Sequence, residues 1–185
     1  HFALFGYGEG DFPGRGLLEA LGEGMPPATG EVVLRANLAQ VSERDGILWI
    51  DERPDPRTGE APHLAEADLD TDIDGVRCRF VHTGTLQGLL FLAATDGRPL
   101  SHHVSDADPL HADTAVLEVL PLEEAPNADA AAHTAAVLNA WIRRSREVLT
   151  GHPLNAMLVK WAGAPVHVTP FSHRFGLRGV SLGAG

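Results

Sequence analysis

The residue types able to do chemistry gather in a few places along this chain. The densest is a polar segment in which His102, His103, Asp106, Asp108 and His111 bring imidazoles and carboxylates close together in sequence. Imidazole and carboxylate are ligand types for Zn2+ or Mn2+. Pro and Asp punctuate the segment, however, and no helical His-x-x-x-His pair fixes a coordination geometry. A solvated loop with Asx turns at Asp106 and Asp108 is the plainer account. Cys78 lies on the apolar side of an alternating run and reads as a buried structural thiol rather than a nucleophile. The run GYGEGDFPGRG resembles a phosphate cradle only loosely, because it lacks the Lys-Ser/Thr ending of a P-loop. No G-x-S-x-G elbow is present.

Cations inside apolar runs carry more information. Arg35 sits within VVLRANLAQV and Lys160 within NAMLVKWAG. A lone charge is costly in a core unless it is paired or reaches an anion. An internal salt bridge, a snorkelling side chain and a bound ligand each account for such a placement.

The elements that must position these residues follow from periodicity. LLEALGEG reads as a short helix stopped by Gly22 and Gly24. In EVVLRANLAQV, Val32, Leu34, Ala36 and Leu38 share one face, which leaves Arg35 and Asn37 on the other. A turn at Glu43 to Gly46 leads into ILWIDER as the return strand of a hairpin. The tract from Pro54 to Asp74 reads as acidic loop with a short helix near Ala65 to Leu69. VRCRFVHT alternates as a half-exposed strand, and GLLFLAAT is apolar on both faces, as in a central strand. TAVLEVLPL fits either a strand or a loop. The clearest helix runs from about Ala128 to Thr150, capped by Asn127 or Asp129 and ended by Gly151 and Pro153. NAMLVKWAG reads as a strand, PFSHRFGL as a loop with a helical turn, and GVSL as a final strand. Strands alternate with helices and nothing repeats, which predicts an α/β fold, a mixed β-sheet with flanking helices.

The bulk numbers narrow the function class. A net charge of −11 with 14 scattered basic residues in 185 argues against a nucleic-acid partner. The apolar stretch near Gly88 to Ala94 is far too short to cross a bilayer, so no membrane partner is expected. One cysteine allows no internal disulfide, and a reducing, cytoplasmic setting is the expectation. The chain opens HFALFGYG and closes GLRGVSLGAG, which reads as an interior stretch of a longer protein.

Six blocks in order, HFALFGYGEGDFPGRGLLEALGEG, VVLRANLAQV, VSDADP, SREVLTGHPLN, NAMLVKWAGAP and FSHRFGLRGVSL, resemble the archaeal-type cofactor-independent phosphoglycerate mutases. That family belongs to the alkaline-phosphatase-like metalloenzymes, in which an inserted α/β domain clamps phosphoglycerate over a two-metal phosphatase domain. The resemblance implies that 3- and 2-phosphoglycerate interconvert through a phosphoserine intermediate, with two divalent ions, commonly Mn2+, holding phosphate oxygens. His1 matches the His of the family's Ser-Asp-Thr-Ala-His motif, which puts the nucleophilic serine before His1 and leaves no catalytic residue or metal ligand in this chain. Residues 1–30 then form a flap of the phosphatase part, 31–175 the inserted substrate domain and 176–185 a returning strand. Its partners are a phosphoglycerate-like small anion and the phosphatase domain of the same protein. The implied substrate-binding residues are Arg35, Asn37, Asp106, Asp108 and Lys160.

The pattern departs from the family in three places: Lys160 and Trp161 stand where Arg-Gly is usual, Gln87 stands where Arg is common, and HPLNAM is shorter than the usual stretch between the His-Pro and Asn-x-x-Leu-Leu blocks. An ammonium lacks the guanidinium fork. These changes keep open a divergent hydrolase of another phosphate or phosphonate ester, and the His102 to His111 loop keeps open a non-enzymatic metal-binding module.

Overall fold

The computed structural model describes residues 6–8, 11–54, 69–166 and 168–178. These fall in two compact units, one formed by residues 1–13 with 166–185 and the other by Gly14–Pro165. The first holds a short helix, Phe171–Phe175, closed by Gly176 in the left-handed region at φ 66°. Within it the Tyr7 hydroxyl donates to the Thr169 carbonyl at 2.9 Å.

The larger unit is a sheet with a helix on each face. Its elements are α1 (Arg15–Gly22), β1 (Val32–Arg44), β2 (Ile47–Glu52), β3 (Thr71–Ile73), β4 (Val76–Gly84), β5 (Gln87–Ala94), β6 (Thr114–Ala115), α2 (Ala128–Val148) and β7 (Ala156–Gly163). The strand order is β3-β4-β5-β1-β2-β6, with β7 also on β1. The expected α/β plan of sheet and flanking helices is present, and each strand pairing among the described residues is antiparallel. Tight turns dictate this. Asp45 and Gly46, at φ 53° and 78°, form a two-residue turn between β1 and β2, and Asp74 and Gly75, at 46° and 75°, do the same between β3 and β4. Two successive positive φ values match the twist of antiparallel strands.

That second turn corrects one expectation. Thr71–Ile73 pairs with β4, where the acidic composition predicts loop with a short helix; residues 55–68, which cover most of that helix, lie outside those described. Pairing wins because Leu69 is fully buried, and its carbonyl accepts the Trp141 indole N–H at 3.0 Å. TAVLEVLPL resolves into the two-residue β6 and an irregular run that buries Val119 and exposes Leu117 and Leu120. GVSL lies outside the described residues.

Alternation along β1 divides the two faces. Val32, Leu34, Ala36 and Leu38 join the larger core with Phe80, Leu90, Leu92, Leu138, Trp141 and Met157. Val33 points the other way, to Leu17 and Ala20 of α1 and to Leu89 and Phe91. β5 is therefore covered on both sides, which is why GLLFL is apolar throughout. Asn127 caps α2 by accepting from Ala130 N–H at 3.0 Å. Cys78 is buried among these side chains, and burial pushes its thiol up to about 12. No helix among the described residues is long and apolar enough to cross a membrane.

Gly88 marks a close contact within the sheet. A Cβ there would lie 2.3 Å from the Val81 carbonyl oxygen and 2.5 Å from the Phe80 ring. Gly88→Ala is expected to cost about 1–3 kcal/mol by overpacking, read as a shifted denaturant midpoint with unchanged slope. A midpoint equal to that of the parent would refute the close approach.

Candidate functional site

The face of the sheet under α1 carries the polar side chains. Arg35 and Asn37 follow Val33 on that side of β1, and β7 runs antiparallel with Lys160 opposite Arg35. That pairing puts Lys160 on the same face as Arg35. Two pairings further on, the register slips: Arg35 pairs with Lys160 but Val33 with Gly163, so β7 carries one extra residue as a bulge.

Trp161 occupies that bulge in the left-handed region at φ 60°. Such a φ is uncommon outside glycine and costs a bulky side chain about 1–3 kcal/mol. The cost is met locally. The Trp161 N–H donates to Asp106 Oδ1 at 2.7 Å. Its indole has Arg15 at 3.8 Å, Lys160 at 4.4 Å and Arg35 at 5.4 Å from the ring centroid. Each such cation–π contact contributes about 0.5–1 kcal/mol. Together with the charge-assisted hydrogen bond these offset the backbone strain.

Glycines let α1 lie this close. A Cβ on Gly14 would sit 2.1 Å from the Ala162 carbonyl oxygen, and one on Gly16 would sit 2.3 Å from that of Val33. With the helix docked, Glu19 accepts from Arg15 at 3.0 Å and forms an ion pair with Arg35 at 2.9 Å.

Asp108 is the anion on the other side of the cluster, and its side chain is fully buried. Its Oδ2 accepts from Lys160 Nζ at 3.0 Å and Asn37 Nδ2 at 3.3 Å. Its Oδ1 accepts from the Arg53 guanidinium and from Leu110 N–H, the latter at 2.9 Å. The Leu110 contact is the Asx turn read from the sequence, but it is made inside the protein rather than in a solvated loop.

Burial, with Arg53 and Arg35 nearby, lowers the Lys160 ammonium to about 8. Burial also raises Asp106 above the usual carboxylate range, against the pull of Trp161 N–H and Lys160, and lowers Arg53.

The five residues implied by the resemblance, Arg35, Asn37, Asp106, Asp108 and Lys160, thus stand together on one face. Arg15, Glu19 and Arg53 join them unforeseen. An Arg at position 15 with Glu four residues on is a helical ion-pair signal present in the sequence. Arg53 directly follows a return strand, where nothing in the pattern marks it. Gln87 lies beside Asn37 and Arg53 around a small cavity.

The metal reading of the His102 to His111 loop does not survive. Asp106 and Asp108 turn away to β7, and the His102 and His103 rings contact each other at 4.3 Å. Among the described residues no three His, Cys, Asp or Glu side chains gather to hold a metal ion. A two-metal centre therefore does not fit these residues. The arrangement, with Arg15, Arg35, Arg53 and Lys160 set against Glu19, Asp106 and Asp108, suits recognition of an anion.

Comparison with known proteins identifies the family. A family model described as 2,3-bisphosphoglycerate-independent phosphoglycerate mutase matches residues 1–155. A protein of that name from Methanopyrus kandleri is 36% identical over 197 residues, spanning 97% of this chain and 45% of the relative. One from Ignicoccus hospitalis is 32% identical, spanning 100% and 47%. Among solved structures, a cofactor-independent phosphoglycerate mutase from Thermoplasma acidophilum superposes with a TM-score of 0.67 at 28% identity, over 95% of this chain and 49% of that one. The chain thus spans less than half the length of these relatives.

Two outcomes test the geometry. Asp108→Asn leaves the buried Lys160 and the half-buried Arg53 without their shared carboxylate and is expected to destabilise by about 3–5 kcal/mol, as for breaking a buried pair; a loss under 1 kcal/mol in chemical denaturation would show the pair to be solvated. Lys160 binds its proton less tightly folded than unfolded, so between pH 8 and the ordinary lysine value of 10.5 the unfolded chain holds more protons. Stability from this residue accordingly rises with pH through that window. Denaturation of the parent and of Lys160→Met across pH 7–11 (a range of roughly the two pKa values and their margins) should show the rise in the parent and its absence in the variant.

Proposed function

This chain belongs to the 2,3-bisphosphoglycerate-independent phosphoglycerate mutase family, and on that premise we propose that it is the substrate-clamping part of a metal-dependent mutase. The whole enzyme interconverts 3- and 2-phosphoglycerate, a glycolytic isomerisation, in the cytoplasm. The observation that carries the reading is the cation cluster on the α1 face, where Arg35 and Lys160 stand opposite each other on adjacent strands.

Moving a phosphoryl group between two hydroxyls of one acid depends chiefly on positioning, because the glycerate must be held while its phosphate leaves and returns. Arg35, Lys160, Asn37 and the pair Asp106 and Asp108 are proposed to do this, the cations by meeting the ligand's anionic groups and the carboxylates by holding the cations in place. Arg35 is fixed from behind by Glu19 at 2.9 Å, so little ordering of its fork is required when a ligand arrives. On the family pattern the nucleophilic serine is placed elsewhere in the protein. The two divalent ions, with Mn2+ preferred, are assigned with that serine to the phosphatase part, where they would stabilise charge on the phosphoryl oxygens. The partner of this unit is then the phosphatase domain of the same protein.

A second reading has its own support. Lys160 opposite Arg35 and Gln87 beside Arg53 stand where the family usually has Arg, which favours a phosphatase-superfamily lid that admits a different phosphate or phosphonate ester.

Full-length protein supplied with Mn2+ and 3-phosphoglycerate is expected to form 2-phosphoglycerate without net phosphate release. Arg35→Gln should lower kcat/KM by about a hundredfold, as for a lost positioning contact. Release of phosphate without isomerisation would select the second reading.

A further inference from the structure

At the end of the sheet away from β3, the strand order closes on the two-residue β6, and a groove of about 470 Å3 lies there between α2 and the turn joining β1 to β2. Ile47 and Leu117 line it, each about half exposed, beside Leu48, which packs on the larger core. The groove is preformed. Asn139 of α2 accepts from the Val119 N–H at 3.0 Å and donates to the Val119 carbonyl at 2.9 Å, which ties the run after β6 to the helix. Its walls are charged with opposite signs: Arg143 and Arg146 on α2, Glu43 and Glu118 on the hairpin and the run after β6. None of these four side chains has a hydrogen bond or ion pair among the described residues. Their neighbours Arg44 and Arg144, by contrast, pair with Asp51 and Glu147.

We infer that this groove is a two-fold interface at which a second copy of the chain docks, the arginine wall of each copy meeting the glutamate wall of the other. Charge decides the occupant. A two-fold contact sets one patch against itself, so the patch must carry both signs on separate sides to be self-complementary. This one does. An acidic peptide would satisfy the arginines and be repelled by the glutamates, and a basic one would meet the reverse. The rest of the surface discourages self-association, because a chain with a net charge of −11 repels its own kind. In the groove two guanidiniums balance two carboxylates, and that repulsion is locally absent. Ile47 and Leu117 then supply the apolar centre and the four charges the polar rim, the usual anatomy of a protein interface.

The interface stands apart from the mutase reading, since none of its residues belongs to the proposed clamp. Analytical ultracentrifugation of the full-length protein is expected to show association that depends on concentration and weakens as salt screens the rim pairs. Reversing one wall, with Arg143→Glu and Arg146→Glu together, sets carboxylates against carboxylates and should weaken association about a hundredfold. Glu43→Arg with Glu118→Arg should do the same with cations. Mixed in equal amounts, the two double variants should associate again with an affinity near that of the parent, now between unlike copies. Leu117→Asp, at the apolar centre, should weaken association and gain nothing from mixing. These positions lie at the surface, where substitutions change stability little, so denaturation midpoints close to the parent's will show each variant to be folded. A parent that stays monomeric, an oligomer indifferent to both reversals, or reversed variants that fail to associate when mixed would each overturn the interface.

Discussion

Asp108 is the charge on which the site is built. A carboxylate removed from water loses several kcal/mol of hydration and is tolerated only where cations and further donors replace it. Asp108 finds its donors on four segments: Asn37 on β1, Arg53 after β2, Leu110 in its own loop and Lys160 on β7. The loop is therefore nailed to the sheet by one residue. Ala107 adds a backbone bond, its N–H donating to the Val159 carbonyl at 2.9 Å, and Asp106 holds Trp161 two residues along. Removing the anion does more than break a pair: it leaves Arg53 and Lys160 without the carboxylate to which both donate.

The two faces of the sheet do different work because β1 alternates from Val32 to Leu38. On one side it contributes aliphatic side chains to a core closed by Trp141 and Leu138 of α2. Apolar burial is worth about 25 cal/mol per Å2, so this side is where stability accrues. The face under α1 has a small apolar patch of Leu17, Ala20, Val33, Leu89 and Phe91, and beside it the ionised cluster. Charged groups there are held by one another and by a rigid floor, the arrangement in which a positioned cation loses least freedom on meeting a ligand.

Most of this plan is legible in the sequence. Alternation places Arg35 and Asn37 on one face, because period two is forced by the strand backbone. The long helix and its Asn127 cap are equally plain, since the apolar stripe and the cap are local features. The β3–β4 hairpin is hidden, although Asp74-Gly75 repeats the Asp-Gly turn signal of Asp45-Gly46; the acidic composition around it drowns a three-residue strand. The destinations of Asp106 and Asp108 are not legible as geometry at all. Side chains from a loop are committed by contacts some 50 residues away in sequence, as the Asp108–Lys160 separation of 52 shows, and periodicity carries no such information. The resemblance groups those residues correctly in space, while Glu19, Arg53 and the bulge at Trp161 emerge only from packing.

The indole of Trp161 also makes the site visible to light. Excitation shifts electron density across an indole ring, so a cation held a few ångströms from one part of it moves the emission energy, and neutralising that cation moves it back. Trp161 has three cations within 5.4 Å of its centroid, whereas Trp141 is fully buried in the apolar core on the other face. The same protein thus carries one chromophore in a field set by the ion cluster and another insulated from it. An anion settling among Arg15, Arg35 and Lys160 would change the colour of Trp161 and leave Trp141 as a reference, beside a third emitter, Trp49, whose own cation is Arg44.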